Sequence, residues 1–386
     1  MGNHWKSLVL ILTSVVGCVD SVPLTSIKYD QALVIEGYIS SDFKQQVIRI
    51  SRTSPLNVQQ FLPESGATVT VHDDQGSVFQ TIESQSGIYL TLPFAGIVGR
   101  SYQLRITTKE GKSYTSEEIK LKDVPEIGSI YATYPSPEPY ASDGIQIYLD
   151  SPDPSRLTTY YRWEYEYTYE IQTPYPSRFI WLGGNNVNIR ELPVDRCWHS
   201  DTSRVTLIQD NSHLEQPGVK AFPLKFIPAD GRDLVVKYSI LVRQYPLDEP
   251  MYRYWNQLKK INESQGTLFD IQPGIVKGNV YAIGNSGETV LGYFDAGVIK
   301  TKRVFFVPHD FAAARFQPID YFGVCGSINP AFIPFDKIGQ YMTVNSLTQE
   351  IVAAGEDELG SFYIVWPKTC CDCTRDGSNM IPDFWQ

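Results

Sequence analysis

Tyr160-Tyr161-Arg162-Trp163-Glu164-Tyr165-Glu166-Tyr167-Thr168-Tyr169-Glu170-Ile171 is the stretch whose reading decides the fold. Tyr161, Trp163, Tyr165, Tyr167 and Tyr169 occupy alternate positions, with Arg162, Glu164, Glu166, Thr168 and Glu170 between them. Side chains alternate across a strand with a period of two, so the aromatic set shares one face and the polar set the other. The aromatic face reads as the buried side of a sheet with phenol groups hydrogen-bonded at its margin. A platform for stacking on sugar rings or on a partner is the alternative, with Trp163 a candidate for it.

Working outward, the same alternation recurs from Ala32 onward. Leu33 to Ser40, Val47 to Arg52, Ala67 to His72, Ser77 to Glu83, Gly87 to Leu92, Ser101 to Thr108 and Ser113 to Lys122 each predict a strand. Tyr102, Leu104 and Ile106 fall on one face, and Gln103, Arg105 and Thr107 on the other. Lys109-Glu110-Gly111-Lys112 and Asp73-Asp74-Gln75-Gly76 supply hairpin turns. This run predicts an immunoglobulin-like β-sandwich over residues 32–125, ending near Val124-Pro125-Glu126, where proline interrupts the ladder. Residues 126–386 are expected to form a larger β-rich domain, in which Leu234 to Tyr245 reads as a central strand.

One amphipathic helix is expected near 248–263. Asp248 suits the N-cap, Pro250 the first turn, and Met251, Trp255, Leu258 and Ile261 form an apolar stripe. Composition agrees with a mainly β chain, because 13% of its 386 residues are aromatic and it carries 28 Gly and 25 Pro. A formal net charge of −10, with no run of Lys or Arg, argues against nucleic acid as a partner.

Residues 1–17 read as a lipoprotein signal peptide. Lys6 gives a positive start, Leu8 to Val16 an apolar run too short to span a bilayer, and Val15-Val16-Gly17-Cys18 a lipobox ending at the lipidation site Cys18. Residues 18–31 would then be a lipidated tether. Each buried acyl CH2 contributes about 0.8 kcal/mol, so several chains on Cys18 anchor a protein without a spanning helix. Asp20 fits an inner-membrane retention signal or part of a surface-export signal, and the residues alone do not choose.

Five cysteines remain: Cys197, Cys325, Cys370, Cys371 and Cys373. An exported chain meets an oxidising compartment, so disulfides are expected, and four of these cysteines allow three connectivities. Zinc on Cys370, Cys373, Cys197 and Cys325 is the weaker reading, because no second close pair accompanies Cys370-x-x-Cys373.

Chemistry is sparse. The chain has no nucleophile elbow, Walker loop, His-Glu-x-x-His or dinucleotide fingerprint, so no catalytic residue and no cofactor is assigned. His4, His72, His199, His213 and His309 are scattered, and adjacency of His309 and Asp310 does not make a triad. Asp150-Ser151-Pro152-Asp153 reads as a turn, and Asp372 to Gly377 lacks the full alternating ligand pattern and carries Arg375, so no metal is assigned. Glu164 and Glu166 lie about 7 Å apart on one strand face, which is ordinary for an exposed sheet. The aromatic stretch Pro174-Tyr175-Pro176 to Phe179-Ile180-Trp181-Leu182-Gly183-Gly184 adds Tyr175, Phe179 and Trp181 as binding candidates, with a lid over the second core as the alternative.

Several blocks together resemble one family. They are Leu33 to Ile39, Ser86 to Tyr89, Tyr238 to Tyr245, Gly266-Thr267-Leu268-Phe269-Asp270, Val290 to Phe294 and the ending Asn379-Met380-Ile381-Pro382-Asp383-Phe384-Trp385. The chain resembles a domain-of-unknown-function family, number four thousand two hundred and forty-nine, of Bacteroidota outer-membrane lipoproteins often encoded beside TonB-dependent receptors. The resemblance implies a non-catalytic, surface-facing, lipid-anchored partner of such a receptor in the outer membrane, helping to capture substrate. A stand-alone carbohydrate- or peptide-binding lipoprotein is the alternative, and an enzyme is less favoured.

Family members carry Cys-x-x-Cys followed by Arg and a glycine pair near the C-terminus. Cys370 and Cys373 fit, Cys371 is extra, and Thr374-Arg375-Asp376-Gly377 departs from the pattern. The resemblance implies that Cys197 and Cys325 bond to the tail cysteines and tie the last residues down.

Overall fold

Alternating apolar residues in the first hundred positions build the first sheet as expected. The computed structural model describes residues 31–54, 62–134, 143–214, 217–263, 274–314 and 323–385. The signal segment, Cys18, Asp20 and the Gly266 to Asp270 block lie outside the described residues. Strands Leu33–Ser40 and Val47–Arg52 pair antiparallel with Ile35 opposite Ile50, both in the core. In strand Ser101–Thr107, Tyr102, Leu104 and Ile106 are buried while the intervening side chains point out. The Thr108–Lys112 turn closes with Thr108 N donating to Lys112 O at 2.9 Å, and Gly111 supplies its φ of +84°.

Strand Val78–Gln85 joins two halves of this sheet. Its first part pairs with Thr68–Asp73 and its second with Ile88–Thr91, with an irregularity between Glu83 and Gln85 where the strand turns the corner. Inward residues of both halves share one core with Phe94, which stacks on Phe79 at 3.8 Å.

Both ends of the sheet come from much later in the chain. Val290–Gly297 lies parallel to Leu33–Ser40 in continuous register from Leu33 opposite Val290 to Ser40 opposite Gly297, and Val280–Ala282 pairs with Ser113–Ser116. These two late strands are the outermost of the sheet path, so residues 32–125 do not hold the whole sheet. Parallel pairing requires a long crossover and leaves no turn signal to read in the sequence. The buried Asn279 side chain then donates to Phe294 O at 2.8 Å and accepts from Phe294 N at 2.9 Å. One amide thus bridges the two ends, satisfies edge groups, and gives the sheet its barrel-like curl.

Gly292 makes that seam possible. Its φ is +88°, and a Cβ there would sit 1.9 Å from Ile35 O. Gly292→Ala is expected to cost about 2 kcal/mol from backbone strain. The urea midpoint should fall, while Gly287→Ala, which meets only the side chain of Asn285 at 3.6 Å, should leave it in place. Equal midpoints for the two variants would count against the seam.

The second sheet centres on strand Tyr160–Gln172, one residue longer than predicted. Strand Tyr238–Leu247 pairs with it antiparallel, setting Trp163 opposite Gln244 and Arg162 opposite Tyr245, and Lys300–Phe306 lies beyond. The central strand begins four residues after the expected Leu234, because residues 231–236 form turns and bends. The aromatic face is indeed buried. It packs on a third sheet of Ser129–Thr133, Gly144–Pro152 and Gly218–Pro228, with Trp163 4.2 Å from Phe222 ring to ring.

Helix Glu249–Glu263 starts where Asp248 Oδ1 accepts from Met251 N at 2.8 Å. Met251 packs with Ile208, Leu247 and Tyr293. A smaller sheet of Ala331–Pro334, Gln349–Asp357 and Gly360–Pro367 carries helix Ile338–Asn345, which the sequence pattern did not mark. Two disulfides tie this region: Cys197 to Cys373 and Cys325 to Cys370, each with Cα atoms 5.8 Å apart.

Candidate functional site

The outward face of the first sheet meets the polar face of the second, under the helix. Tyr38 and Asp295 are partners in the parallel register, on the face opposite Ile35, Ile39 and Phe294. They meet Tyr245, whose ring lies edge-on to Tyr38 at 5.4 Å. Arg162, from the strand that opens the sequence reading, is held between two rings. Its guanidinium carbon is 4.2 Å from the centre of Tyr245 and 4.6 Å from that of Trp255 on the helix. Such cation–π contacts are worth most where water is excluded, and Arg162 is only 8% exposed. Arg162 Nη1 donates to Glu164, and Glu164 accepts from Tyr245 Oη at 2.8 Å.

Four buried polar atoms here have no partner among the described residues: Tyr38 Oη, Arg162 Nε, Trp255 Nε1 and Asp295 Oδ2. They are half of the eight such side-chain atoms, so the unsatisfied groups concentrate at one place. Each left unpaired costs about 1–3 kcal/mol, and a cluster of them marks a place where the fold keeps valences open.

Electrostatics follow from burial. Asp295 is 6% exposed, and desolvation pushes its carboxyl up to about 7; Asp248 adds to the rise, while the Ala296 N–H, Arg162 and Lys122 oppose it. Burial likewise raises the Tyr38 phenol well above its ordinary value, helped by Asp295. Burial works against ionising Glu164, but the Arg162 charge and the Tyr245 hydroxyl outweigh it and hold that carboxyl below its usual range.

Two pockets of about 400 Å³ open beside this cluster, a size that suits a small ligand. Arg162, Glu164 and Trp255 stand in the walls of both; Tyr38, Tyr254 and Asp295 complete one, Arg243 and Ser203 the other.

Of the residues singled out in the sequence, Trp163 adjoins one of these pockets from the core side, and Tyr175, Phe179 and Trp181 lie elsewhere. Trp163 is 1% exposed and its Nε1 donates to Gln244 at 2.8 Å, so it is a core residue and not a stacking platform. The strand's inward parity puts it there, while the outward neighbours Arg162 and Glu164 stand in the walls of both pockets. Tyr175 stacks on Trp366 at 3.8 Å, in the cluster with Cys325 and Cys370. Phe179 and Trp181 pack against Ile338, Met342, Ile351 and Val365, covering the core of the small C-terminal sheet. These three do not converge with Trp163 or with the Arg162 cluster.

Of the weighed turns, Asp153 accepts from Leu157 N, Thr158 N and Tyr161 Oη, and Asp372 from Thr374 N. His199 Nδ1 is 2.7 Å from Asp376 O. Among the described residues no three His, Cys, Asp or Glu side chains are grouped to hold a metal ion. Cys371 is buried and unpaired, and burial pushes its thiol up to about 12, far from a reactive thiolate.

Local periodicity marks Tyr38, Tyr245 and Trp255 only as parts of a strand or helix, and Arg162 as part of a polar strand face. Asp295 was the visible signal, a lone carboxylate in the run Val290 to Val298 that is otherwise almost wholly apolar.

Fold and site together define a mainly β protein with a polar and aromatic pocket where two sheets and a helix meet. The chain belongs to the family described as Domain of unknown function (DUF4249), whose model matches residues 19–303. All members of the Arg162 cluster fall inside that span, and the sheet of residues 331–367 falls outside it. No curated protein matches the chain.

Proposed function

We propose that this protein is a lipid-anchored accessory of the outer membrane that captures substrate for a TonB-dependent transporter, acting by contact and not by chemistry. The observation that carries the capture role is the pocket itself, with four polar atoms, beside aromatic rings, that have no partner among the described residues. The anchor rests on the lipobox ending at Cys18 and the transporter on the family resemblance. Among the described residues no helix is long and apolar enough to cross a membrane.

The test is purification of the full chain from detergent-solubilised outer membrane. The expected result is a receptor recovered at near-equal amount, an acylated Cys18 by mass spectrometry, and removal of the protein by protease shaving of intact cells. Recovery of the protein alone would overturn the accessory role and leave the second reading, a stand-alone binding lipoprotein, which the same pocket supports.

A further inference from the structure

The pocket beside Arg162 and Asp295 carries enough chemistry to name its ligand class. We infer that it takes a neutral polyhydroxylated ligand, a mono- or oligosaccharide, held by Tyr38, Arg162, Trp255 and Asp295. This rests on the reading that the protein captures a ligand, and it specifies that ligand.

Charge comes first. Arg162 is already paired with Glu164, and Glu164 also accepts from Tyr245. A charged ligand group would have to compete with that pair, whose Arg162 end is enclosed while the Glu164 side chain is 43% exposed. What the cluster leaves open is not charge but single hydrogen-bond valences. Arg162 Nε and Trp255 Nε1 only donate, ionised Asp295 Oδ2 only accepts, and the Tyr38 hydroxyl does both.

Ligand classes divide on this pattern. A carboxylate or phosphate brings acceptors alone and would face Glu164 and Asp295. An ammonium brings donors alone and would face Arg162. A hydroxyl donates and accepts at the same atom, so adjacent hydroxyls on one ring answer both kinds of valence without adding charge. Tyr254 and Trp255 in the wall offer apolar ring surface for the C–H side of a pyranose. Two adjoining pockets of about 400 Å³ leave room for more than one sugar unit.

Ordered water could fill the same four valences, and the experiment separates the two. The mature full chain is titrated by calorimetry with neutral glucans, mannans and galactans, with uronate-containing glycans, and with peptides of matched size. The expected result is binding of at least one neutral glycan and weaker or no binding of its acidic counterpart. Tyr38→Phe removes one open valence and keeps the ring, and should weaken binding by about fivefold to tenfold without lowering the unfolding midpoint. Trp255→Phe removes the indole N–H together with part of the ring beside Arg162, so its expected loss of binding is read beside its own unfolding midpoint.

Binding confined to acidic glycans or peptides, no binding at millimolar concentration, or affinity unchanged in both variants would each overturn the inference; no binding with a stable fold would mean a hydrated cavity only. The outcome is independent of the transporter. A receptor that co-purifies with a chain that binds no glycan sinks this inference alone, and glycan binding without a receptor sinks only the accessory role.

Discussion

Asp295→Asn is expected to raise the stability of the protein at pH 8 and to leave it nearly unchanged at pH 4. In the unfolded chain the carboxyl titrates near its ordinary 3.8, whereas in the folded chain burial moves it to about 7. Between those values the folded state holds a proton that the unfolded state has lost, so this group's contribution to stability falls as pH rises from about 4 to 7. Above pH 7 the full cost is present of a buried carboxylate whose Oδ2 has no partner among the described residues.

At about 1.4 kcal/mol per pKa unit the difference amounts to roughly 4 kcal/mol. Arg162 and Lys122 face the group as cations and Asp248 as a like charge, and their balance is already contained in the shifted value. Depressed carboxyls such as Glu164 and Asp73 slope the other way, so the quantity to measure is the variant minus the native chain. Urea unfolding from pH 4 to 8 should show that difference growing across the window. A difference that stays flat would mean Asp295 is ionised and satisfied throughout.

Removing the Cys197–Cys373 bridge is the second large effect. The bond spans 176 residues, and a loop of that size contributes about 3–5 kcal/mol by restricting the unfolded chain. It also fixes the tail, in which Ser378 and Trp198 exchange backbone hydrogen bonds at 2.8 and 2.9 Å and Trp385 Nε1 donates to the buried Glu170 at 3.2 Å. Arg303 lies 3.5 Å above the Phe384 ring.

Cys197→Ala/Cys373→Ala should therefore lower the unfolding midpoint and expose residues after 373 to protease. The Cys325–Cys370 bridge spans only 45 residues, so its removal should cost about 1 kcal/mol less. Thermal scans of the two double variants check the order, and the reverse order would show that local strain or contacts outweigh loop closure. Cys371 should not rescue either variant, because each double substitution leaves it no free thiol to bond with.

Local patterns carried the elements and failed at their partners. Alternation set the strand at Tyr160 and its buried face, because side-chain parity is a property of consecutive residues. The cap at Asp248 placed the helix for the same reason, through a bond that reaches three residues. Trp163 shows the limit: its parity was right, but a buried aromatic face and an exposed platform look alike until something is seen to cover it. Arg162 shows the converse, since a charged residue on a strand reads as solvated unless a helix lies over it.

The sequence by itself determined that the chain is mainly β, which faces of its strands are apolar and where its main helix begins, since each depends on neighbours within a few residues. Tertiary structure alone decided that Val290–Gly297 closes the sheet beside Leu33–Ser40, that Cys197 meets Cys373, and that positions 38, 162, 245, 255 and 295 form one pocket. Those meetings join residues far apart in the chain, and they are fixed by which surfaces exclude water together, a quantity that no short window of sequence contains.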